Sequence, residues 1–187
     1  METRSENWKG SIPLSIRLSS HDMASVTEPH AFYILIPRIS YLNLHIDKFI
    51  KHFENYVAAG FNPEEIWFSS ENEPLRWDSP IGVLFDKIQG SAPRLPWILH
   101  MHFGRYPDKF PQYRGISTLR SHYLNSLKES TALLSGSANP ILKISADNEG
   151  RLWNAVSSAN LYEFWEVLGP IIDNTAPRSI PIRVAIG

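Results

Sequence analysis

Apolar and polar residues alternate from Ser11 to Leu18, which puts Ile12, Leu14, Ile16 and Leu18 on one side. A period of two is that of a strand with one buried face. Phe32 to Ile36 (FYILI) reads as a second strand, and Pro37 ends its ladder because it has no N–H to donate. Between them Ser19 to His30 is polar and predicts a loop. Met1 to Asn7, within residues 1–10, predicts a flexible N-terminus. From Tyr41 to Ala58 the period lengthens. Leu42, Ile46, Phe49, Phe53 and Tyr56 recur at helical spacing, with Lys48, Lys51, His52 and Asn55 on the other side and His45 on its flank. Gly60 supplies the stop.

Ile66–Ser69 and Leu75–Trp77 predict a hairpin across Glu71-Asn72-Glu73-Pro74. Ser79 followed by Pro80 is an N-cap and first-turn pair, because proline lacks a donor where none is needed. The helix so started runs through Val83, Leu84, Phe85 and Ile88 and ends at Gly90. Trp97 to Phe103 is a fifth strand. Residues 11–104 thus read β-β-α-β-β-α-β, the order of a ubiquitin-like β-grasp domain, a small sheet wrapped around a helix.

After Gly104 the pattern changes. Tyr106 to Gly115 is rich in proline and polar residues and suits a linker. Ile116 to Leu134 predicts a helix with Ile116, Leu119, Tyr123, Leu127 and Leu134 on one face. Ser135 to Pro140 breaks it. A second helix covers Asp147 to Ser157, and a third begins at Asn160, with Glu163 placed as in a capping box, and ends near Gly169-Pro170. Residues 105–176 therefore form a helix-rich domain with Trp153, Phe164 and Trp165 as its expected core. Alternation returns in Ser179 to Gly187, with Ile180, Ile182, Val184 and Ile186 on one side. A lone strand cannot satisfy its own backbone groups. Residues 177–187 must therefore join an existing sheet, recruit a partner, or be the first strand of a further, incomplete domain, and the fold class is α+β.

Composition narrows the chemistry. The chain has 187 residues, enough for one large domain or two small ones. Hydrophobic residues make up 43% and charged residues 20%, as in ordinary globular proteins. A net charge of −1 supplies no general attraction to nucleic acid. Cysteine is absent, which excludes disulfides, thiolate nucleophiles and cysteine metal sites. No apolar run approaches the roughly 18 residues of a membrane span, and the N-terminus has no signal-peptide pattern. A soluble intracellular protein is expected.

A series of short motifs carries a resemblance. Ile36-Pro37-Arg38-Ile39-Ser40-Tyr41-Leu42, Glu65-Ile66-Trp67-Phe68, Pro74-Leu75-Arg76-Trp77 and Ser79-Pro80-Ile81-Gly82-Val83-Leu84-Phe85-Asp86 come first. Pro96-Trp97, His122-Tyr123, Leu127-Lys128-Glu129, Leu152-Trp153, Phe164-Trp165 and Ile180-Pro181-Ile182-Arg183 follow in order. With them the chain resembles the autophagy protein 5 family. The resemblance implies two ubiquitin-like domains flanking a helix-rich one. It implies a lysine, matching Lys128 here, that forms an isopeptide bond with the C-terminal glycine of autophagy protein 12. It further implies autophagy protein 16 as a partner and autophagy proteins 10 and 3 as conjugating enzymes. The conjugate would promote lipidation of autophagy protein 8 in autophagosome formation. The implied protein is no enzyme, needs no cofactor, and works in the cytoplasm and peripherally at the preautophagosomal structure and phagophore membrane. Binding of autophagy protein 16 is expected to be weakened, because this chain reaches only the first strand of the second ubiquitin-like domain. A non-conjugated ubiquitin-like binding module and an inert short isoform are the alternatives.

Residue by residue, the chemistry is sparse. Lys128 is one of seven lysines. At about 100° per residue it lies roughly 130° from the centre of the predicted apolar face, and Leu124 can cover its methylene stem. His100 and His102 form H-x-H on a strand, so both rings leave one face, a spacing that metal sites use. Leu99, Met101 and Phe103 take the core face, and no carboxylate nearby in sequence completes a site, so two outward histidines are expected. His45, Lys48, Lys51 and His52 form a basic surface on the first helix, read as a solvated face that could meet an acidic partner or phospholipid head groups. Gly82 belongs to no phosphate loop and reads as a small residue packed against a neighbour. No G-x-S-x-G nucleophile motif occurs.

Overall fold

The computed structural model describes residues 2–173. Helix α1 (Glu2–Lys9) opens them, where the sequence predicts a loose stretch. Its residues carry no apolar stripe, so periodicity is blind to it. Strand β1 (Ser11–Leu18) buries Ile12, Leu14, Ile16 and Leu18, as its alternation requires. Strand β2 (Phe32–Pro37) follows, then helix α2 (Ile46–Phe53). The predicted helix from 41 to 58 is α-helical only in this middle part. Single 3₁₀ turns at Leu42–His45 and Glu54–Tyr56 tighten its two ends, a common finish for helix termini.

The predicted hairpin is shorter than expected. Strand β3 (Ile66–Ser70) pairs with β4 (Glu73–Pro74), and of the predicted arm 75–77 the Leu75 N–H donates to the Phe68 carbonyl at 2.8 Å. Glu71 and Asn72 both adopt positive φ, at 49° and 69°, and close a two-residue turn that sets Glu73 opposite Ser70. Helix α3 (Ile81–Gln89) starts after Pro80, and the Ser79 hydroxyl faces Asp78 Oδ1 at 3.5 Å instead of capping the helix. Gly82 is required there. A Cβ on it would sit 2.8 Å from the Arg38 carbonyl oxygen, the same oxygen that accepts its N–H at 2.8 Å. Strand β5 (Trp97–Phe103) completes the sheet.

The five strands run in the order β2-β1-β5-β3-β4, with β1 and β5 parallel and every other pair antiparallel. This mixed sheet closes over α2. Phe49 meets Phe32 and Phe68 edge to face, at 5.6 and 5.7 Å between centroids. Trp97, Phe49, Phe53, Leu99 and Met101 are among the fully buried side chains. Each such burial contributes about 1.5–3 kcal/mol. The stretch read as a linker is tied down by Trp77, whose indole N–H donates to the Pro111 carbonyl at 2.6 Å and whose ring lies beside Tyr113.

Chain contacts divide the protein into residues 1–119 and 120–187. Helix α4 (Ile116–Ser135) crosses that division, and α5 (Asn139–Leu142), α6 (Ala146–Ser157) and α7 (Leu161–Asp173) follow. The core of the second unit is Ile141, Leu152, Val167 and Leu168, with Tyr123, Leu127 and Phe164 against it. Trp153 is buried as expected, whereas Trp165 is only half-buried. Ile116 and Leu134, assigned to the inner face of α4, are 48% and 42% exposed. Asn160 caps α7, its side-chain oxygen accepting the Glu163 N–H at 3.2 Å. The Glu163 carboxylate lies 3.7 Å from Arg151 Nε. Helix α7 runs through Gly169-Pro170 rather than stopping there. The burial of Val167 and Leu168, with Ile171 beside them, outweighs the hydrogen bond that Pro170 lacks. The predicted strand Ser179 to Gly187 lies outside the described residues.

Candidate functional site

Lys128 stands in the second half of α4, a helix of 20 residues. Hydroxyls along this helix turn inward on its own backbone. Ser130 donates to the Ser126 carbonyl at 2.7 Å and Thr131 to the Leu127 carbonyl at 2.8 Å. Lys128 is half-buried, and Leu124, one turn earlier, is 9% exposed. The residues one turn either side of Lys128 are Leu124, Asn125, Thr131 and Ala132, none of them acidic. Among the described residues, Arg151 pairs with Glu163 and Glu166 in this unit. Lys128 has no carboxylate partner there. An amine so placed is held by a regular helix and, among the described residues, is unoccupied by an ion pair.

His100 and His102 leave the outer face of β5, as their spacing predicts, but the fold surrounds His102 with partners that the sequence keeps far apart. Its Nε2 lies 2.9 Å from Ser69 Oγ, and its Nδ1 lies 3.4 Å from Asp22 Oδ2. Its ring stacks on Trp67 with 3.7 Å between centroids and 7° between planes. An Nδ1–H donating toward Asp22 and an Nε2 accepting from the Ser69 hydroxyl satisfies both contacts. The arrangement has the connectivity of a serine–histidine–carboxylate relay, yet Ser69 is 3% exposed and is paired within the sheet on both sides. A nucleophile needs room for a substrate carbonyl beside it. Ser69 has none, so the three residues tie β3 and β5 to the turn at Ser20–Asp22. Among the described residues no group of three or more histidine, aspartate or glutamate side chains is arranged to hold a metal ion.

Burial pushes the His102 imidazole down to about 4, against the opposing pull of Asp22, and His100 adds to the lowering. The folded protein therefore holds His102 neutral while an unfolded chain protonates it near 6.5. The stability from neutral His102 is fully present above pH 6.5 and is lost as pH falls toward 4. Between pH 7 and pH 4.5 His102 is expected to cost the first unit about 2 kcal/mol, after solvent screening is allowed for, with the lowered His45 and His100 adding to the loss. Urea midpoints at the two pH values measure it. A His102→Gln variant should lose most of that pH dependence, and an unchanged dependence would contradict the assignment.

On α2, Lys48 and Lys51 are exposed and His52 is half-buried, as is His45 in the turn before the helix. Burial lowers the His45 pKa, and neighbouring Lys48 adds to the effect. The Arg38 guanidinium pairs with Asp86 across α3 and lies 5.9 Å from the centre of the Phe85 ring.

Two family models match the chain. One, described as Autophagy protein ATG5, UblA domain, covers residues 7–103, and the other, the alpha-helical bundle region of the same protein, covers 116–174. The autophagy protein 5 of Oryza sativa subsp. indica is 32% identical over 182 residues, covering 94% of this chain and 47% of the rice protein. That of Drosophila melanogaster is 30% identical over 182 residues, covering 95% of this chain and 67% of the fly protein. The chain thus spans about half the length of the rice relative. The crystal structure of Kluyveromyces marxianus Atg5 superimposes with a TM-score of 0.82 at 24% identity, covering 91% of this chain and 69% of that one. This last likeness concerns the fold alone.

Proposed function

Because this chain belongs to the autophagy protein 5 family, we propose that it is a conjugation substrate and scaffold in autophagosome formation, joined through Lys128 to autophagy protein 12. In the transfer, neutral Lys128 Nζ attacks the thioester carbonyl at the C-terminal glycine of autophagy protein 12. The carbon–sulfur bond breaks, the enzyme's thiolate leaves, and an isopeptide bond forms. The proton from the amine passes to a base of the conjugating enzyme, autophagy protein 10. Lys128 contributes position and nucleophilicity.

Lys128 supports this reading through its place in the matched helical region, on α4, with no carboxylate partner among the described residues. The conjugate, with autophagy protein 16, would then direct autophagy protein 3 to attach autophagy protein 8 to phosphatidylethanolamine. Work at the phagophore and preautophagosomal membrane would be peripheral, and no helix among the described residues is long and apolar enough to cross a bilayer. Incubating the chain with autophagy protein 12, its activating enzyme, autophagy protein 10 and ATP tests the reading. A product at the summed mass of the two chains, resistant to reducing agent, is expected. Its absence, with a full-length relative conjugated in the same mixture, would defeat the proposal and favour a non-conjugated binding module.

A further inference from the structure

Among the described residues, strand β2 is an edge of the sheet, and its backbone is only half used. The Arg38 N–H donates to the Gly10 carbonyl at 2.9 Å, in line with the register that sets Ile36, Ile34 and Phe32 opposite Ile12, Leu14 and Ile16. Antiparallel pairing alternates, so these even positions turn their N–H and C=O groups to β1. Tyr33 and Leu35 turn theirs away from it. Among the described residues, neither has a backbone partner on the open side. Their side chains are also exposed, at 67% and 64%, on the face of the sheet opposite the core.

Proteins usually blunt such an edge with a charge, a bulge or an early proline. β2 has no charged residue, its register against β1 is unbroken, and its one proline, Pro37, is its last residue. The flank of α2 nearest this edge is basic. His52 lies against Phe32, 5.1 Å between centroids, and its Nε2 meets the His30 carbonyl at 2.8 Å, so the His52 side of the helix faces β2. At about 100° per residue, Lys48 and Lys51 fall roughly 40° and 100° from His52, whereas Asp47 and Glu54 fall roughly 140° and 160° away. All four are exposed.

We propose that the open edge of β2 takes an extended, acidic segment of a partner protein as an added strand, antiparallel or parallel to β2. The partner's backbone completes the ladder at Tyr33 and Leu35, its apolar side chains cover theirs, and its carboxylates meet Lys48 and Lys51. Charge argues against a second copy of this chain as the occupant. Two β2 edges side by side would bring two Lys48–Lys51 flanks together, and like charges so placed oppose association.

The test uses the whole 187-residue chain, labelled with nitrogen-15, and a synthetic peptide of three aspartates followed by alternating valine and threonine. The Tyr33 and Leu35 amide signals should shift, and their hydrogen exchange should slow about tenfold or more. The same peptide with lysines in place of the aspartates should bind about fivefold more weakly. Leu35→Pro removes an outward N–H while leaving the bonds to β1, and should weaken binding about tenfold. Should that variant not fold, Tyr33→Glu is the second test, with a loss of similar size through repulsion. No saturable binding, equal binding of both peptides, or undiminished binding to both variants would overturn the proposal. So would protection of Tyr33 and Leu35 that needs no peptide and follows a monomer–dimer equilibrium in sedimentation.

Discussion

Lys128→Arg is expected to abolish the conjugate with autophagy protein 12 while leaving the fold intact. Arginine keeps the positive charge and most of the aliphatic stem, so the helix loses little at this position. Its guanidinium stays protonated at any working pH and offers no free nucleophilic amine. Stability should change by less than about 0.5 kcal/mol, because the half-buried lysine gives up no ion pair among the described residues. Lys143→Arg, in the same unit, is the control and should conjugate normally. Conjugate forming on the Lys128→Arg chain at the original level would move the acceptor elsewhere.

Trp97→Ala is expected to destabilise the first unit by about 3–5 kcal/mol. Trp97 is 2% exposed, its ring meets Phe85 edge to face at 5.4 Å, and it stands opposite Leu14 in the parallel register of β1 and β5. Its indole N–H donates to Ser70 Oγ at 2.9 Å, so truncation leaves a buried hydroxyl without its donor as well as a cavity. A loss of this size is a large fraction of the roughly 5–15 kcal/mol that holds a domain folded. Urea unfolding followed by far-ultraviolet circular dichroism would show an early transition. A loss below about 1 kcal/mol would mean that Trp97 is not the anchor its burial indicates.

The strands with one buried face were legible from periodicity alone. β1 and β5 match their predicted spans because the two-residue period holds to their ends, and Gly90, at φ +57°, ends α3 as expected. The misses have local causes. The turn at Glu71-Asn72 carries no glycine, so nothing in composition singled out its two positive-φ residues. Proline at position 170 read as a stop, yet the apolar side chains around it keep α7 helical. The inner face of α4 was drawn too wide, since Ile116 and Leu134 are exposed.

Side chains joined by topology could not be read at all. Asp22, Ser69 and His102 come from three separate segments, and only the sheet order brings them to one place. The edge of β2 is of the same kind, for FYILI announces a strand but not that one side of it is unpaired among the described residues. Lys128 is different again. Helical spacing turned it toward solvent, whereas on α4 it is half-buried, and the role proposed for it rests on the resemblance and not on its surroundings.

The most direct test is to digest the purified conjugate with trypsin and sequence the branched peptide by mass spectrometry. A glycine remnant from autophagy protein 12 on Lys128, and on no other lysine, is the predicted result. A branch at Lys109, Lys143 or any other lysine would contradict the account.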